Sequence, residues 1–362
     1  MVKQAMIFAA GLGTRLRPLT DRMPKALVPV AGKPLLAHAL ERMHLAGFER
    51  IIVNVHHFAD QVEAFLQTVS YPGMEIRVSD ERDLLRDTGG AIRRALPLLD
   101  MESPLLIHNV DIFSNLDLTD FYEKGCEEMA RGAWAYLLVS ERESSRYFLF
   151  DDQSCLRAWK NVKTGEMKSF ETSLPPTSPY AFAGIHMVAP ALLQTLETEP
   201  EKFSVVDLYL RLAARHPVKG CLKKGLQLLD VGKVSNLRQA EAMLLFKSGH
   251  TCSQSVLLAC APQYGLSRET ALALASSFSG GVARSGELCG AVSGMLMILG
   301  MKYPIVPGQP ETKRLNFEKV QAALASFRSE MGAIRCDELL RIRKGGCSDC
   351  VACAVRLAET LS

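Results

Sequence analysis

The sequence predicts an α/β protein with a mostly parallel sheet covered by helices on both faces, followed by a small all-α region rich in cysteine. Three observations predict it. Short apolar runs alternate with helical repeats through the first half of the chain. A group of β-type runs interrupts this alternation between Ala133 and Val188. Beyond Lys247 every patterned stretch has helical spacing, and seven of the ten cysteines fall in the last 111 residues.

The runs Ala5 to Ala10, Arg50 to Val55, Glu75 to Val78 and Leu105 to Asn109 are short, apolar and strand-like. Between them, Leu35, Leu36, Ala39, Leu40 and Met43 share one helical face, and so do Phe58, Val62, Phe65, Leu66 and Val69. Such βαβ rhythm places ligands at the carboxyl ends of the strands. The runs Ala133 to Val139, Arg146 to Phe150 and Ala181 to Val188, around the Pro-rich loop Leu174 to Pro179, predict an inserted acceptor-binding lobe. A helix from Leu237 to Phe246 leads to Lys247-Ser248-Gly249, where the composition changes. Helices are then expected over Ser253 to Cys260, Arg268 to Phe278, Gly290 to Leu299, Phe317 to Met331 and Ser348 to Leu361. Gly280-Gly281 and the segment Pro304 to Pro310 break them apart.

Composition excludes several classes. At 362 residues, 48% apolar and 22% charged, the chain is ordinary globular protein, neither disordered nor collagen-like. A net charge of +3, from 42 Lys+Arg against 39 Asp+Glu, gives no field that would gather nucleic acid or an anionic membrane. The longest strongly apolar stretch, Cys289 to Met301, is broken by glycines and falls well short of the ~20 residues that span a bilayer. The first residues contain no secretory pattern, so a cytoplasmic location is expected. In that reducing compartment the cysteines point to metal or redox chemistry rather than to structural disulfides.

The first strand runs into Ala9-Ala10-Gly11-Leu12-Gly13-Thr14-Arg15-Leu16-Arg17-Pro18, followed by Pro24-Lys25-Ala26-Leu27-Val28-Pro29-Val30. Backbone N–H groups at Ala10, Gly11, Gly13 and Thr14 can approach an anion there, and Arg15 and Lys25 supply the charge a triphosphate needs. Leu16 replaces the third glycine of a dinucleotide fingerprint, and no Gly-Lys-Ser/Thr completes a P-loop, so hydride transfer and ATP hydrolysis are disfavoured. Two aspartates close apolar runs at the ligand end. Asp111 follows Leu105 to Val110, and Asp230 follows Leu226 to Leu229. A pair of carboxylates completed by substrate oxygens is how Mg²⁺ is usually held.

Taken together, Gly-x-Gly-Thr-Arg-Leu-x-Pro-x-Thr-x-x-x-Pro-Lys-x-x-x-Pro-Val, Asn54-Val55-His56-His57 and Asp87-Thr88-Gly89-Gly90-Ala91-Ile92 resemble the sugar-1-phosphate nucleotidyltransferases over roughly residues 3 to 246. The N-acetylmuramate-1-phosphate uridylyltransferase branch is the most similar, and mannose-1-phosphate guanylyltransferases share much of the pattern. The resemblance implies a Rossmann-like nucleotidyltransferase domain over residues 1–246 that joins a sugar 1-phosphate to a nucleoside triphosphate and releases pyrophosphate. It implies Asp111 and Asp230 as Mg²⁺ ligands and Arg15 and Lys25 as the catalytic cations. Gly89 would let backbone approach the nucleotide, while Ser79-Asp80-Glu81 occupies the region that reads the base. Gly184, in Phe182-Ala183-Gly184-Ile185, would lie beside the sugar. The family's Glu-Lys-Pro lysine is missing, and Lys160 or Lys168 would replace it at the sugar phosphate. Val110 before Asp111 and Lys233 after Asp230-Val231-Gly232 also depart from the family pattern.

His250-Thr251-Cys252, Gly280-Gly281, Cys289-Gly290-Ala291-Val292-Ser293-Gly294, Cys336 and Cys347 resemble a small family named for redox activity and defined by spaced cysteines. This places a helical cysteine-rich domain at residues 249–362. Four thiolates, from Cys252, Cys289, Cys336 and Cys347, would form a shell for Zn²⁺ or an iron–sulfur cluster. Cys350 and Cys353 extend the last into Cys-x-x-Cys-x-x-Cys on one helix. Packing is the competing account of Gly290, Ala291, Gly294 and the buried thiols, ranked below the metal or cluster. The expected partners are therefore a nucleoside triphosphate, a sugar 1-phosphate and an unidentified redox partner of the tail. The competing expectation is a redox or metal sensor whose first domain only binds a nucleotide sugar.

Overall fold

The computed structural model describes residues 1–170, 175–342 and 347–360. Leu174 and Leu361, which end two of the expected segments, lie outside them. The chain divides into two compact units. The first is Met1–Pro29 with Lys33–Asp230, and the second is Val30–Gly32 with the chain from Val231 onward.

The first half alternates as expected: β1 (Gln4–Phe8), the short β2 (Pro29–Val30) and β3 (Lys33–Pro34), α1 (Leu35–Leu45), β4 (Arg50–Val55), α2 (Ala59–Thr68), β5 (Glu75–Asp80), α3 (Asp87–Ala95) and β6 (Leu105–Asn109). There follow β7 (Ile112–Ser114), α4 (Leu118–Ala130), β8 (Ala135–Ser140), β9 (Arg146–Phe150), β10 (Leu156–Asn161), β11 (Met167–Ser169) and β12 (Ser178–Val188). Then come α5 (Pro190–Thr195), α6 (Val205–Ala213), β13 (Val218–Leu222) and β14 (Leu228–Asp230).

Ten strands form one mixed sheet in the order β11-β10-β9-β12-β6-β1-β4-β5, with β8 joining β12 to β13. The nucleotide half is parallel: β1 lies between β4 and β6, with Gln4 opposite Arg50 on one side and Leu105 on the other. These strands are buried on both faces, which is why their sequences read as apolar runs rather than alternations; Met6, Ile52, Leu105 and Ile107 are fully enclosed. From β12 outward the pairing is largely antiparallel, forming the inserted lobe. The two-stranded pair β7 and β14 sets Asp230 opposite Ile112.

The second unit is helical: α7 (Val234–Lys247), α8 (Cys252–Cys260), α9 (Arg268–Ala275), α10 (Gly290–Lys302), α11 (Pro310–Met331), α12 (Cys336–Ile342) and α13 (Ser348–Thr360). Thr251 and Gln254 close a capping box at the start of α8. A Cβ on Gly290 would come within 2.5 Å of the Cys252 Sγ, and one on Gly294 within 2.9 Å of the Val256 Cβ, so the two glycines allow α10 to lie directly on α8. α11 begins at Pro310 rather than Phe317, because proline in the first helical turn lacks only an N–H that has no helical partner anyway. α12 was not expected from the sequence. Between α9 and α10 the chain makes a left-handed run, with φ positive at Gly280, Gly281, Val282, Ala283 and Arg284.

The units meet in sequence at Asp230 and Val231, upstream of the composition change at Lys247. The reason is α7. Its buried Leu237, Ala240, Ala242 and Leu245 pack where α8 and α13 cover them. A chain ended after Phe246 therefore leaves that apolar face bare. Limited proteolysis of this truncated chain is expected to cut within Val234–Phe246 while the segment Met1–Asp230 survives. Equal resistance across both segments would show that α7 needs neither partner.

Candidate active site and cysteine cluster

The carboxyl ends of β1, β4 and β6 open onto a cleft of about 540 Å³ whose wall includes Ala10, Gly11, Arg15, Lys25, Asp111 and Asp230. Asp111 stands in the turn after β6, which is tied to β1 by the Val110 N–H donating to the Phe8 carbonyl at 3.2 Å. Asp230 arrives from the far end of the first unit, carried by β14 to a position beside Ile112. Lys25 sits in a single helical turn behind Pro24, and its ammonium pairs with Asp111 where both side chains are largely enclosed. The Arg15 guanidinium lies 3.9 Å from the Asp230 carboxylate. Burial pushes the Asp111 carboxyl above its ordinary range; the Lys25 ammonium opposes that shift and the neighbouring Asp230 adds to it.

Gly13 and Thr14 do not line the cleft. Gly13 has φ +64°, and a Cβ there would approach Thr20 Cγ2 to 2.8 Å and Lys25 Cβ to 3.0 Å, so glycine lets the Thr14–Leu16 turn close over Lys25. The Thr20 hydroxyl donates to the Gly13 carbonyl at 2.9 Å and holds the turn.

Asn54 organises the opposite wall. Its Oδ1 accepts from the Ala9 N–H at 2.7 Å, and its Nδ2 donates to Glu81 Oε1 at 2.8 Å. Glu81 is 1% exposed, and burial raises its carboxyl above the usual range, against the pull of the Asn54 hydrogen bond. His56 contacts the Glu81 carbonyl oxygen through Nδ1 at 2.7 Å, which gives it a supporting place rather than a metal.

Gly89, Gly184, Lys160 and Lys168 also lie outside the cleft lining. Gly89 faces away from the cleft: its N–H donates to the Phe203 carbonyl at 2.9 Å, and a Cβ would stand 2.2 Å from the Phe203 ring, so this glycine serves helix packing. Asp87 and Thr88 reach the cleft in its place. Gly184, at φ +74°, makes room for Asn109, whose Nδ2 would be 2.7 Å from a Cβ there; Asn109 lines the cleft and Gly184 supports it from behind. Lys160 is exposed on β10 in the outer sheet, opposite Tyr147 and Met167, and does not reach the cleft. Lys168 is held 2.9 Å from Asp207 and stands over the Trp159 ring. Lys202, which the sequence did not single out, lines the cleft instead. Its Glu-Pro-Glu-Lys loop carries no motif that could have revealed it. Asn109 left a fainter signal, a polar residue ending an apolar strand.

In the second unit Cys252, Cys289 and Cys336 are buried and Cys347 half-buried. Cys336 feels the charge of Cys252 and Cys289, and Cys347 that of all three, so the four lie near one another. No three His, Cys, Asp or Glu side chains are arranged to hold an ion among the described residues. The Cys289 thiol instead pairs with Cys350, and that hydrogen bond, with burial, pushes it far above the ordinary thiol range. Burial raises Cys347 to about 11. Cys353 diverges from the cluster, its Sγ lying 3.7 Å from Glu330 Oε2 and 3.7 Å from Arg356 Nη2. His250 closes the end of α7, its Nδ1 3.1 Å from the Leu245 carbonyl oxygen. No helix among the described residues is long and apolar enough to cross a membrane.

Cations and paired carboxylates in a cleft at the parallel strand ends suit an enzyme that handles nucleotide phosphates. The nucleotidyl transferase profile matches residues 4–246, and the chain belongs to that family. A second profile, "Putative redox-active protein (C_GCAxxG_C_C)", matches residues 250–361. The chain is 36% identical over 255 residues to the N-acetylmuramate alpha-1-phosphate uridylyltransferase of Caulobacter vibrioides, a match covering 67% of this chain and 97% of that one. It is 33% identical to the Neisseria meningitidis enzyme of the same name, covering 66% of this chain and 97% of that one. Among solved structures, UDP-glucose pyrophosphorylase from Acinetobacter baumanii shares the fold at a TM-score of 0.56 and 17% identity, over 69% of this chain and 95% of its own.

Asn54→Ala removes the hydrogen bonds to Ala9, Ala10 and Glu81 and leaves the buried Ala9 N–H without a partner. It is expected to lower unfolding free energy by roughly 2–3 kcal/mol in urea titrations, and to raise KM for the triphosphate more than it lowers kcat.

Proposed function

We propose that this enzyme transfers a uridylyl group from UTP to N-acetylmuramate 1-phosphate, giving the UDP-sugar and pyrophosphate. The observation that carries the reading is the convergence of Lys25, Arg15, Asp111 and Asp230 on one cleft. A phosphate oxygen of the sugar 1-phosphate attacks the α-phosphorus, and the bond to the β,γ-pyrophosphate breaks. The attacking oxygen is already anionic, so no strong general base is required, and catalysis rests on alignment and charge neutralisation.

Arg15 and Lys25 draw the triphosphate in and stabilise the charge that builds on its oxygens. Ala10 and Gly11 line the same space. Asp111 and Asp230 suit Mg²⁺, being two carboxylates that burial and mutual repulsion leave in need of a cation. When bound, the ion would screen the phosphates and favour departure of pyrophosphate. Glu81, Asp87 and Thr88 border the nucleoside, while Asn109 faces the acceptor side. Near-full-length similarity to two enzymes of that name supports the uridylyl and N-acetylmuramate assignment over guanylyl transfer to mannose 1-phosphate. Triphosphate and sugar phosphate substrates agree with a cytoplasmic location.

Pyrophosphate release, measured across nucleoside triphosphates and sugar 1-phosphates, tests the proposal. UTP with N-acetylmuramate 1-phosphate should give the highest kcat/KM, and Asp111→Asn or Asp230→Asn should cut kcat at least roughly 100-fold with an unchanged circular dichroism spectrum. Preference for GTP with mannose 1-phosphate would replace the assignment. Binding of a nucleotide sugar without turnover would make the first unit a sensor.

For the tail, the pairing of Cys289 with Cys350 favours thiol chemistry over a metal shell. Protein purified without oxygen is expected to contain no stoichiometric iron or zinc and to show no charge-transfer absorption. A stoichiometric metal content would restore the shell of Cys252, Cys289, Cys336 and Cys347.

A further inference from the structure

A second cavity, of about 500 Å³, lies in the inserted lobe, lined by Ser140, Glu141, Arg142, Lys223, Lys224 and Leu228 among others. Its place in the sheet is informative. β8 runs antiparallel to β12, which runs antiparallel to β6, so β8 is parallel to β6, and β13 is parallel to β8. Ser140 and Leu222, the last residues of β8 and β13, therefore stand at the same carboxyl edge as Asn109. Leu228 is on β14, two residues before Asp230. Two strand spacings separate β6 from β8, about 10 Å, which is the reach of a pyranose ring with its substituents. A sugar whose 1-phosphate lies near Asp111 can thus extend toward this pocket.

The pocket is basic where the sugar ring itself would need no charge. Lys223 is committed to Asp120 at 2.7 Å. Arg142 is steadied by one Nη2 hydrogen bond to the Phe182 carbonyl at 3.0 Å and has no carboxylate partner among the described residues, nor has Lys224. Ser140 is 7% exposed, and its hydroxyl has no hydrogen-bond partner among the described residues. A guanidinium fork, an ammonium and a buried hydroxyl match a planar carboxylate, which accepts bidentate bonds from arginine. Glu141 on the rim offsets one of these charges and disfavours a dianion such as a second phosphate.

We infer that Arg142 and Lys224 seat the carboxylate of the acceptor sugar in this pocket and that this pair selects acidic over neutral sugar 1-phosphates. The inference rests on the reading of the first cleft as a site of nucleotidyl transfer to a sugar 1-phosphate.

The test uses the full chain, the triphosphate it turns over, and two acceptors. N-acetylmuramate 1-phosphate and N-acetylglucosamine 1-phosphate differ only by the carboxyl-bearing lactyl ether. The wild type should favour the acidic sugar. Arg142→Gln and Lys224→Gln should each lower the acidic-to-neutral ratio of kcat/KM roughly tenfold, mainly through KM, and Arg142→Lys should recover part of it. Because the ratio is internal to each variant, a reduced folded fraction cancels. A ratio unchanged in both Gln variants, or a wild type that prefers the neutral sugar, overturns the inference and leaves nucleotidyl transfer standing. Absence of turnover with every acceptor overturns the transfer reading itself.

Discussion

Two carboxylates are held side by side in a partly dry cleft, and much of the first unit can be understood as the means of keeping them there. Like charges so close repel, and burial sharpens the repulsion. Asp111 is tolerated because Lys25 reaches it from the turn behind the phosphate loop, and Asp230 because Arg15 stands nearby. The same cations that neutralise the resting site are the ones a triphosphate would recruit.

The parallel strands explain why the charges converge. β1, β4 and β6 all point their carboxyl ends to one edge, and in the sequence these strands are legible as apolar runs of nearly the observed length. The aspartate that closes β6 could be read directly. Asp230 could be singled out by its position after an apolar run, but its pairing with β7 could not be read, because strand partners so far apart in sequence leave no local trace. Glycines were legible as positions of close approach, yet not what they approach: Gly13 meets Lys25 and Thr20, Gly89 meets Phe203, and Gly184 meets Asn109. Lysines were the least legible. A long, flexible cation has no periodicity to betray whether it lines a cleft, as Lys202 does, or pairs with an aspartate, as Lys168 does.

In the second unit the sequence pattern of small residues proved to be a packing code. Gly290 and Gly294 bring α10 onto α8 until the Cys252 thiol fills the space a methyl group would take. Burial at this density disfavours thiolates and raises the Cys252 and Cys289 thiols above their ordinary range. The family resemblance marked which cysteines cluster. It did not mark that Cys350, outside the shared pattern, becomes the partner of Cys289. The membership of α7 was equally hidden, since helical periodicity shows that a face must be covered without saying by what.

The left-handed run between α9 and α10 has a different kind of consequence. Each L-residue in such a conformation costs about 1–2 kcal/mol, and Val282, Ala283 and Arg284 adopt it in succession behind Gly280 and Gly281. Their side chains are exposed, whereas Gly281 is pressed against Cys336, whose Cβ would be 2.6 Å from an added methyl. Shape is therefore imposed on the backbone here by the packing of Gly281 and not by the exposed side chains that follow it. Glycine at any of the three middle positions would relieve that cost without touching a packed side chain, so each such substitution is expected to raise the stability of the turn rather than lower it.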